Sequence, residues 1–240
     1  MPNRKQPTVV LVHGAFADGS SWNGVVDKLK RAGHPVLAPA NPLRGLRSDA
    51  AYLRDVLDGV EGPVVLAGHS YGGSVISEAA AGDDKVKALV YVAAFLPDEG
   101  ESAAELSGKF PGSTLGETLK EVPTALPGGA AVTDLYIDQD KFHGQFAADV
   151  PPATARRMAA TQRPITSAAL GEGAGAAAWR TVPSWALLTT EDKNIPVAAQ
   201  RFMAERAEAR TVTLDASHAV TVSRPDAVAD LIEEAAKSVS

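Results

Sequence analysis

Three side chains spread widely along the chain could together cleave an acyl bond. Ser70 lies in Gly68-His69-Ser70-Tyr71-Gly72, which reads Gly-x-Ser-x-Gly. A serine hydroxyl is a poor nucleophile until a neighbouring base takes its proton, and the base needs a carboxylate to orient it and stabilise its charged form. His218 follows the apolar run 210–214 and is the only histidine after Ser70 outside the irregular stretch that holds His143. Thr190-Glu191-Asp192-Lys193-Asn194 follows the apolar run 184–189 and offers two carboxylates, Glu191 and Asp192. Each signal alone has a plainer reading: a glycine turn, a packed histidine, a solvated acidic loop. Their order, serine then acid then histidine, is one of the known orders for this chemistry.

The oxyanion of such a reaction needs two backbone N–H donors. One is expected from Tyr71, next to the serine. The other is expected from the loop after residues 8–12, His13-Gly14-Ala15-Phe16-Ala17-Asp18-Gly19. By position Ala15 is favoured, with Phe16 the second candidate. His13 and His69 are read as packing and hydrogen-bonding residues of their loops. No cluster has metal-ligand spacing, and the glycine-rich stretches lack the Gly-Lys-Ser/Thr ending of a phosphate loop. No metal or other cofactor is expected.

These groups must be held by something rigid. Short apolar runs at 8–12, 34–38, 63–68, 86–92, 184–189 and 210–214 are near-continuous rather than alternating, as in parallel strands buried on both faces. Helical patterns at 21–32, 49–59, 73–81, 196–208 and 226–238 lie between them, with Ser20, Ser21 and Ser48 as caps and Gly33 and Gly59 as ends. Strands alternating with helices predict an α/β fold with a mostly parallel sheet of about six strands. Reactive groups in such sheets sit at the carboxyl ends of strands, where Ser70, Asp192 and His218 all fall.

Residues 97–180 break the rhythm. They are rich in Pro and Gly, with one helix expected near 152–161 and an alternating patch near 131–137. The aromatics Phe110, Tyr136, Phe142, Phe146 and Trp179 give this stretch something to bury. It is therefore expected to be an insertion over one edge of the sheet after the fourth strand, with 1–96 and 181–240 forming the core. Tyr136, Phe142 and Trp179, with Phe95, Gly14 and Phe16, are the candidate substrate-pocket residues.

The 240 residues include no cysteine, which excludes thiol chemistry and disulfides. A net charge of −6 argues against nucleic acid as partner, and no like-charge block suggests a membrane surface. The start, Met1 to Thr8, is short and polar, so a cytoplasmic protein is expected, a monomer or homodimer acting on a small-molecule ester.

Four stretches carry a family likeness: Val10-Leu11-Val12-His13-Gly14-Ala15, Gly68-His69-Ser70-Tyr71-Gly72-Gly73, Ala93-Ala94-Phe95-Leu96-Pro97-Asp98, and Thr190-Glu191-Asp192-Lys193-Asn194-Ile195-Pro196. With them the chain resembles the α/β-hydrolase superfamily along nearly its whole length. More narrowly it resembles the branch of plant methyl-ester esterases and hydroxynitrile lyases. The resemblance implies Ser70 as nucleophile, His218 as base, Asp192 rather than Glu191 as the acid, and the Ala15 and Tyr71 amides as oxyanion donors. It also implies that the 97–180 insertion is a small cap whose side chains choose the substrate. The lyases of that branch carry a threonine and a lysine where this chain has Gly14 and Ala219, so the likeness is to the esterases. The 97–180 stretch is richer in Ala, Gly and Pro than in the plant proteins, so plant hormone esters are not carried over as substrates. Cleavage of another acyl bond, lyase chemistry and non-catalytic ligand binding are the alternatives on the same fold.

Overall fold

The computed structural model describes residues 6–239; the polar residues 1–5, on which part of the localisation reading rests, lie outside them. The chain runs β1 (Thr8–Val12), α1 (Asn23–Arg31), β2 (Val36–Leu37), α2 (Leu46–Asp58), β3 (Val64–His69), α3 (Tyr71–Ala79) and β4 (Val86–Val92). It continues through α4 (Ala103–Gly108), β5 (Leu119–Ala125), β6 (Ala131–Ile137), α5 (Gln139–Phe146), α6 (Pro152–Thr161), β7 (Ile165–Thr166) and α7 (Ser167–Gly171). It closes with β8 (Ser184–Thr189), α8 (Val197–Arg206), β9 (Arg210–Leu214), α9 (Val220–Ser223) and α10 (Pro225–Ser238). Six strands form one sheet in the order β2-β1-β3-β4-β8-β9, and every pairing is parallel.

The continuous apolar runs are explained by this sheet having two covered faces. Successive residues of a strand point to opposite sides. Val10, Leu66, Leu89, Tyr91, Ala186 and Leu188 pack on one side with Leu53 of α2 and Ile76 of α3. Val9, Leu11, Val65, Val90 and Leu187 pack on the other with Leu29 of α1 and Ile232 of α10. Burying each such Leu, Val or Ile contributes roughly 1.5–3 kcal/mol relative to exposure, so neither face tolerates a polar residue cheaply. The edge strands read differently. β9 is largely exposed, and β2 spans only two residues instead of the expected 34–38. His34 belongs to the turn that closes α1, where its N–H donates to the Leu29 carbonyl, rather than to a strand.

Helix boundaries also shift. The N-cap of α2 is Gly45, not Ser48; the Ser48 hydroxyl donates back to the Gly45 carbonyl from inside the first turn. The start of the expected 21–32 helix is a 3-10 turn, Gly19–Trp22, capped by Asp18. The C-terminal helix begins with Pro225 at its first position, where its missing N–H costs nothing.

Residues 97–180 carry a second, antiparallel sheet, β5-β6-β7. The alternating patch at 131–137 is β6, and α6 is the helix near 152–161. The partner strand β5 was not apparent from the sequence. Its Lys120, Glu121 and Pro123 face solvent, and only pairing with β6 makes it a strand. Specific bonds tie the segment to the main sheet's surroundings. The Arg44 guanidinium pairs with Asp134 of β6 at 2.6 Å. The Glu78 carboxylate accepts from the Gly175 and Ala176 amides at 2.6 and 3.2 Å. Arg206 grips both oxygens of Glu101 at 2.7 and 2.9 Å. Among the described residues no helix is long and apolar enough to cross a membrane.

The β5–β6 tip is the weakest point of this arrangement. Leu126–Ala130 closes the hairpin with two glycines at positive φ, Gly128 at 96° and Gly129 at 89°, and the flanking residues are mostly exposed. Exposed loop tips are where proteases cut first. Limited subtilisin digestion followed by mass spectrometry should give its first cut within 126–130. First cuts inside β3, β4 or β8 would contradict this ordering of local stability.

Candidate active site

Ser70 joins β3 to α3, at φ 55° and ψ −125°. A non-glycine residue in that region is strained by about 1–3 kcal/mol, and the surroundings hold it there. Its N–H donates to the Val92 carbonyl at 3.3 Å, and its own carbonyl accepts from Gly73 and Phe95 at 3.0 and 3.2 Å. The flanking glycines are required by space rather than by φ. A Cβ on Gly72 would stand 2.3 Å from the Val12 carbonyl oxygen, and one on Gly68 would stand 2.6 Å from the Gly72 backbone. This is the geometry of a nucleophile elbow.

At the ends of β8 and β9, Asp192 and His218 meet. His218 Nδ1 donates to Asp192 Oδ2 at 2.6 Å, and both side chains are fully buried. Asp192 is fixed by four further donors. The amides of Asn194 and Ile195 reach Oδ1 at 2.8 and 2.9 Å, and Thr189 Oγ1 and Gln200 Nε2 reach Oδ2 at 3.0 and 3.2 Å. Buried charge is tolerated only with such compensation. Glu191 is exposed and takes no part. Phe146 packs edge-on against the His218 ring at 4.9 Å between centroids, and the Ala219 N–H donates to the Phe146 carbonyl at 2.9 Å. His218 Nε2 is buried and makes no hydrogen bond among the described residues; bonds of this kind often tighten only when substrate binds.

The two neighbouring histidines have structural partners that fix their tautomers. His69 Nε2 lies 2.8 Å from the His218 carbonyl. That oxygen can only accept, so the proton sits on Nε2. Burial, reinforced by the nearby His218, holds the His69 pKa well below the ordinary imidazole value, so the ring is neutral. His13 donates through Nδ1 to the Gly14 carbonyl at 2.9 Å and accepts the Asn41 amide at Nε2, also 2.9 Å. Burial lowers its pKa too. It thereby pins the loop after β1 to the loop after β2.

Ser70 opens onto a cavity of about 270 Å³. Ala15, Phe16, Tyr71 and Phe95 line its inner end. The Phe16 N–H is committed to the Arg163 carbonyl at 3.0 Å, which leaves Ala15 the better placed oxyanion candidate in that loop. The outer walls come from Ala103, Ala104 and Ser107 of α4, Leu115, Leu119, Leu170 and Ile195. Among the described residues no charged side chain lines it.

Four expected pocket residues stand elsewhere. Gly14 lies beneath the elbow, where a Cβ would come within 2.7 Å of Ser70 Cβ. Phe142 is fully buried and stacks on Phe146 at 4.9 Å, so it backs the histidine rather than the cavity. Trp179 donates from Nε1 to the Pro97 carbonyl at 2.7 Å and lies under the guanidinium groups of Arg180 and Arg206. Tyr136 pairs with Lys120 across the hairpin. Phe142 and Trp179 are drawn into packing, while Phe16, Tyr71 and Phe95 line the cavity together with small residues of α4 and aliphatic side chains. The signal for that helix is Ser102-Ala103-Ala104-Glu105, whose Ser102 and Glu105 form a capping box at its start. Gln200 was also missed; a glutamine at a buried helix position, 1% exposed, is the signal that would have found it.

Comparison with known proteins agrees with this architecture. A carbendazim hydrolyzing esterase of Nocardioides sp. strain SG-4G is 38% identical over 113 residues, which cover 42% of this chain and 47% of that protein. The match thus spans about half the length of that relative. A pyrethroid hydrolase of Sphingobium wenxiniae is 29% identical over 248 residues, covering 94% of this chain and 86% of the relative. The crystal structure of polyneuridine aldehyde esterase shares the fold, with a TM-score of 0.81 at 20% identity over 95% of this chain and 98% of that one. The Alpha/beta hydrolase family itself matches residues 9–231. On that match, and with the parallel sheet, the strained serine elbow and the buried His–Asp pair already seen, the chain belongs to the alpha/beta hydrolase family.

Proposed function

We propose that the protein is a serine carboxylic-ester hydrolase acting on small or medium esters through an acyl-enzyme. The observation that carries this reading is Ser70, held at a strained elbow and open to an uncharged cavity, in a fold that also buries the His218–Asp192 pair. Ser70 Oγ attacks the ester carbonyl while His218 Nε2 takes its proton. Asp192 holds the ring with Nδ1 protonated and stabilises the imidazolium. The amides of Ala15 and Tyr71 hold the oxyanion. His218 then gives its proton to the leaving alcohol, and in the second half it activates water against the acyl-enzyme. The 97–180 segment acts as the cap, since α4, Leu115, Leu119 and Leu170 supply the outer cavity wall. The partner is a small-molecule ester, and the net charge of −6 is unsuited to nucleic acid. Cytoplasmic location is part of the same proposal.

The names of the relatives support ester cleavage. Cyanohydrin lyase chemistry has no support in the cavity, because no cationic side chain lines it to receive a departing cyanide.

Two measurements test the proposal. Ser70→Ala should lower turnover of p-nitrophenyl butyrate by about three orders of magnitude or more; residual activity within tenfold of wild type would sink the assignment. The wall chemistry also predicts discrimination by charge. Burying an unpaired carboxylate costs several kcal/mol, so the p-nitrophenyl hemiester of succinate should show kcat/KM lower than the butyrate ester by about a hundredfold. Equal kcat/KM for the two would mean that acyl groups do not enter this cavity.

A further inference from the structure

Asp49 is a carboxylate that the mechanism above does not use, yet it is 1% exposed. Its two oxygens are both occupied. Oδ2 accepts the Tyr71 phenol at 2.9 Å, and Oδ1 accepts the Arg44 backbone amide at 3.0 Å. The Asp49 N–H donates in turn to the Gly45 carbonyl at 2.8 Å. Arg44, the nearest cation along the chain, spends its guanidinium on Asp134, the Pro164 carbonyl and the Pro42 carbonyl. Asp49 is therefore satisfied by two neutral donors. Burial pushes its carboxyl above the usual carboxylate range. It pushes the Tyr71 phenol up further still, with Asp49 adding to the effect, so the phenol remains a donor at any working pH. For stability alone this is a poor use of a core position, since apolar residues commonly replace buried charge without loss.

Position explains it. Tyr71 is the first residue of α3, directly after Ser70, and it lines the cavity. Its ring reaches back to α2, 1% exposed. We propose that Asp49 is a positioning residue: by holding the Tyr71 phenol on α2 it fixes the first turn of α3, and with it the amide that receives the oxyanion. The same bonds continue outward. Asp49 fixes Arg44, whose guanidinium holds Asp134 of β6 and whose carbonyl accepts Thr166 Oγ1 at 3.0 Å. The seat of the cap and the oxyanion donor thus share one hydrogen-bonded chain, Asp134–Arg44–Asp49–Tyr71.

The proposal rests on the serine-esterase reading and is tested by a double-mutant cycle of Asp49→Ala and Tyr71→Phe, with Asp49→Asn as the conservative variant. Three readouts are followed: kcat and KM on p-nitrophenyl butyrate, inhibition by an alkyl trifluoromethyl ketone, and Tm. The ketone forms a hemiketal with Ser70 whose oxyanion occupies the same two amides, so its Ki reports their placement. Each single substitution should lower kcat by about tenfold to a hundredfold. KM should stay within about twofold, and Ki should rise by the same factor as kcat falls. The double variant should be no worse than the more impaired single, because the Asp49–Tyr71 bond is already lost in each. Asp49→Asn, which keeps an acceptor, should recover part of the loss. Should Asp49→Ala fail to fold, Tyr71→Phe, which removes a single oxygen, still decides the matter. A kcat within twofold of wild type in Tyr71→Phe, or a Tm loss with unchanged Ki, would overturn the proposal alone. Absence of Ser70-dependent turnover in wild type would overturn the esterase reading and this inference with it.

Discussion

Everything at this site depends on how closely three pieces of backbone approach at the elbow. The first turn of α3 presses against the end of β1 so tightly that a Cβ on Gly72 would meet the Val12 carbonyl at 2.3 Å. On its other side, a Cβ on Gly73 would meet the Phe95 carbonyl at 2.2 Å. Contact at this distance is possible only without side chains. It places the loop after β1, the serine and the loop after β4 against one another with no adjustable layer between them. Strain at Ser70 is the consequence, and the bonds from Ser70 to Val92, Gly73 and Phe95 sustain it.

The His218–Asp192 pair is organised by a different principle. Asp192 and His218 come from the loops after β8 and β9, which pair in parallel from Trp185 opposite Arg210 to Thr189 opposite Leu214. Their position relative to each other is therefore set by the sheet. Burial makes their interaction strong and also makes it expensive unless every lone pair is met. Asn194, Ile195, Thr189 and Gln200 meet those of Asp192. The protein spends a polar cluster on orientation at one end of the site and keeps the substrate cavity uncharged at the other.

The parallel sheet was legible in the sequence because burial on both faces leaves runs such as Val64-Val65-Leu66-Ala67 with no polar interruption. The elbow was legible because its glycines have no substitute; strand ends, where such sheets place reactive groups, narrowed the acid only to Glu191 or Asp192, and the family resemblance pointed to Asp192. One edge and part of the inserted segment were not legible, although β9, β6 and α6 fall where the run 210–214, the alternating patch and the pattern near 152–161 put them. β2 is two residues long, and β5 is a polar strand that exists only through its pairing with β6. The cavity wall was misread for a physical reason. Phe142 stacks on Phe146 and Trp179 is bonded to the Pro97 carbonyl, so the aromatic wall is Phe16, Tyr71 and Phe95, and Ala103, Ala104 and Leu115 bound the rest. Residues that work through others, Gln200 on Asp192 and Asp49 on Tyr71, carry no motif at all. They become visible only as polar side chains in buried helical positions.

The central claim is that Ser70 alone, of all the serines in the chain, is made nucleophilic by its surroundings. Peptide mapping by mass spectrometry after reaction with a fluorophosphonate addresses it most directly. One phosphonyl group per chain should form, on Ser70, in step with loss of esterase activity. Phosphonylation at another serine, or none while activity persists, would contradict that claim.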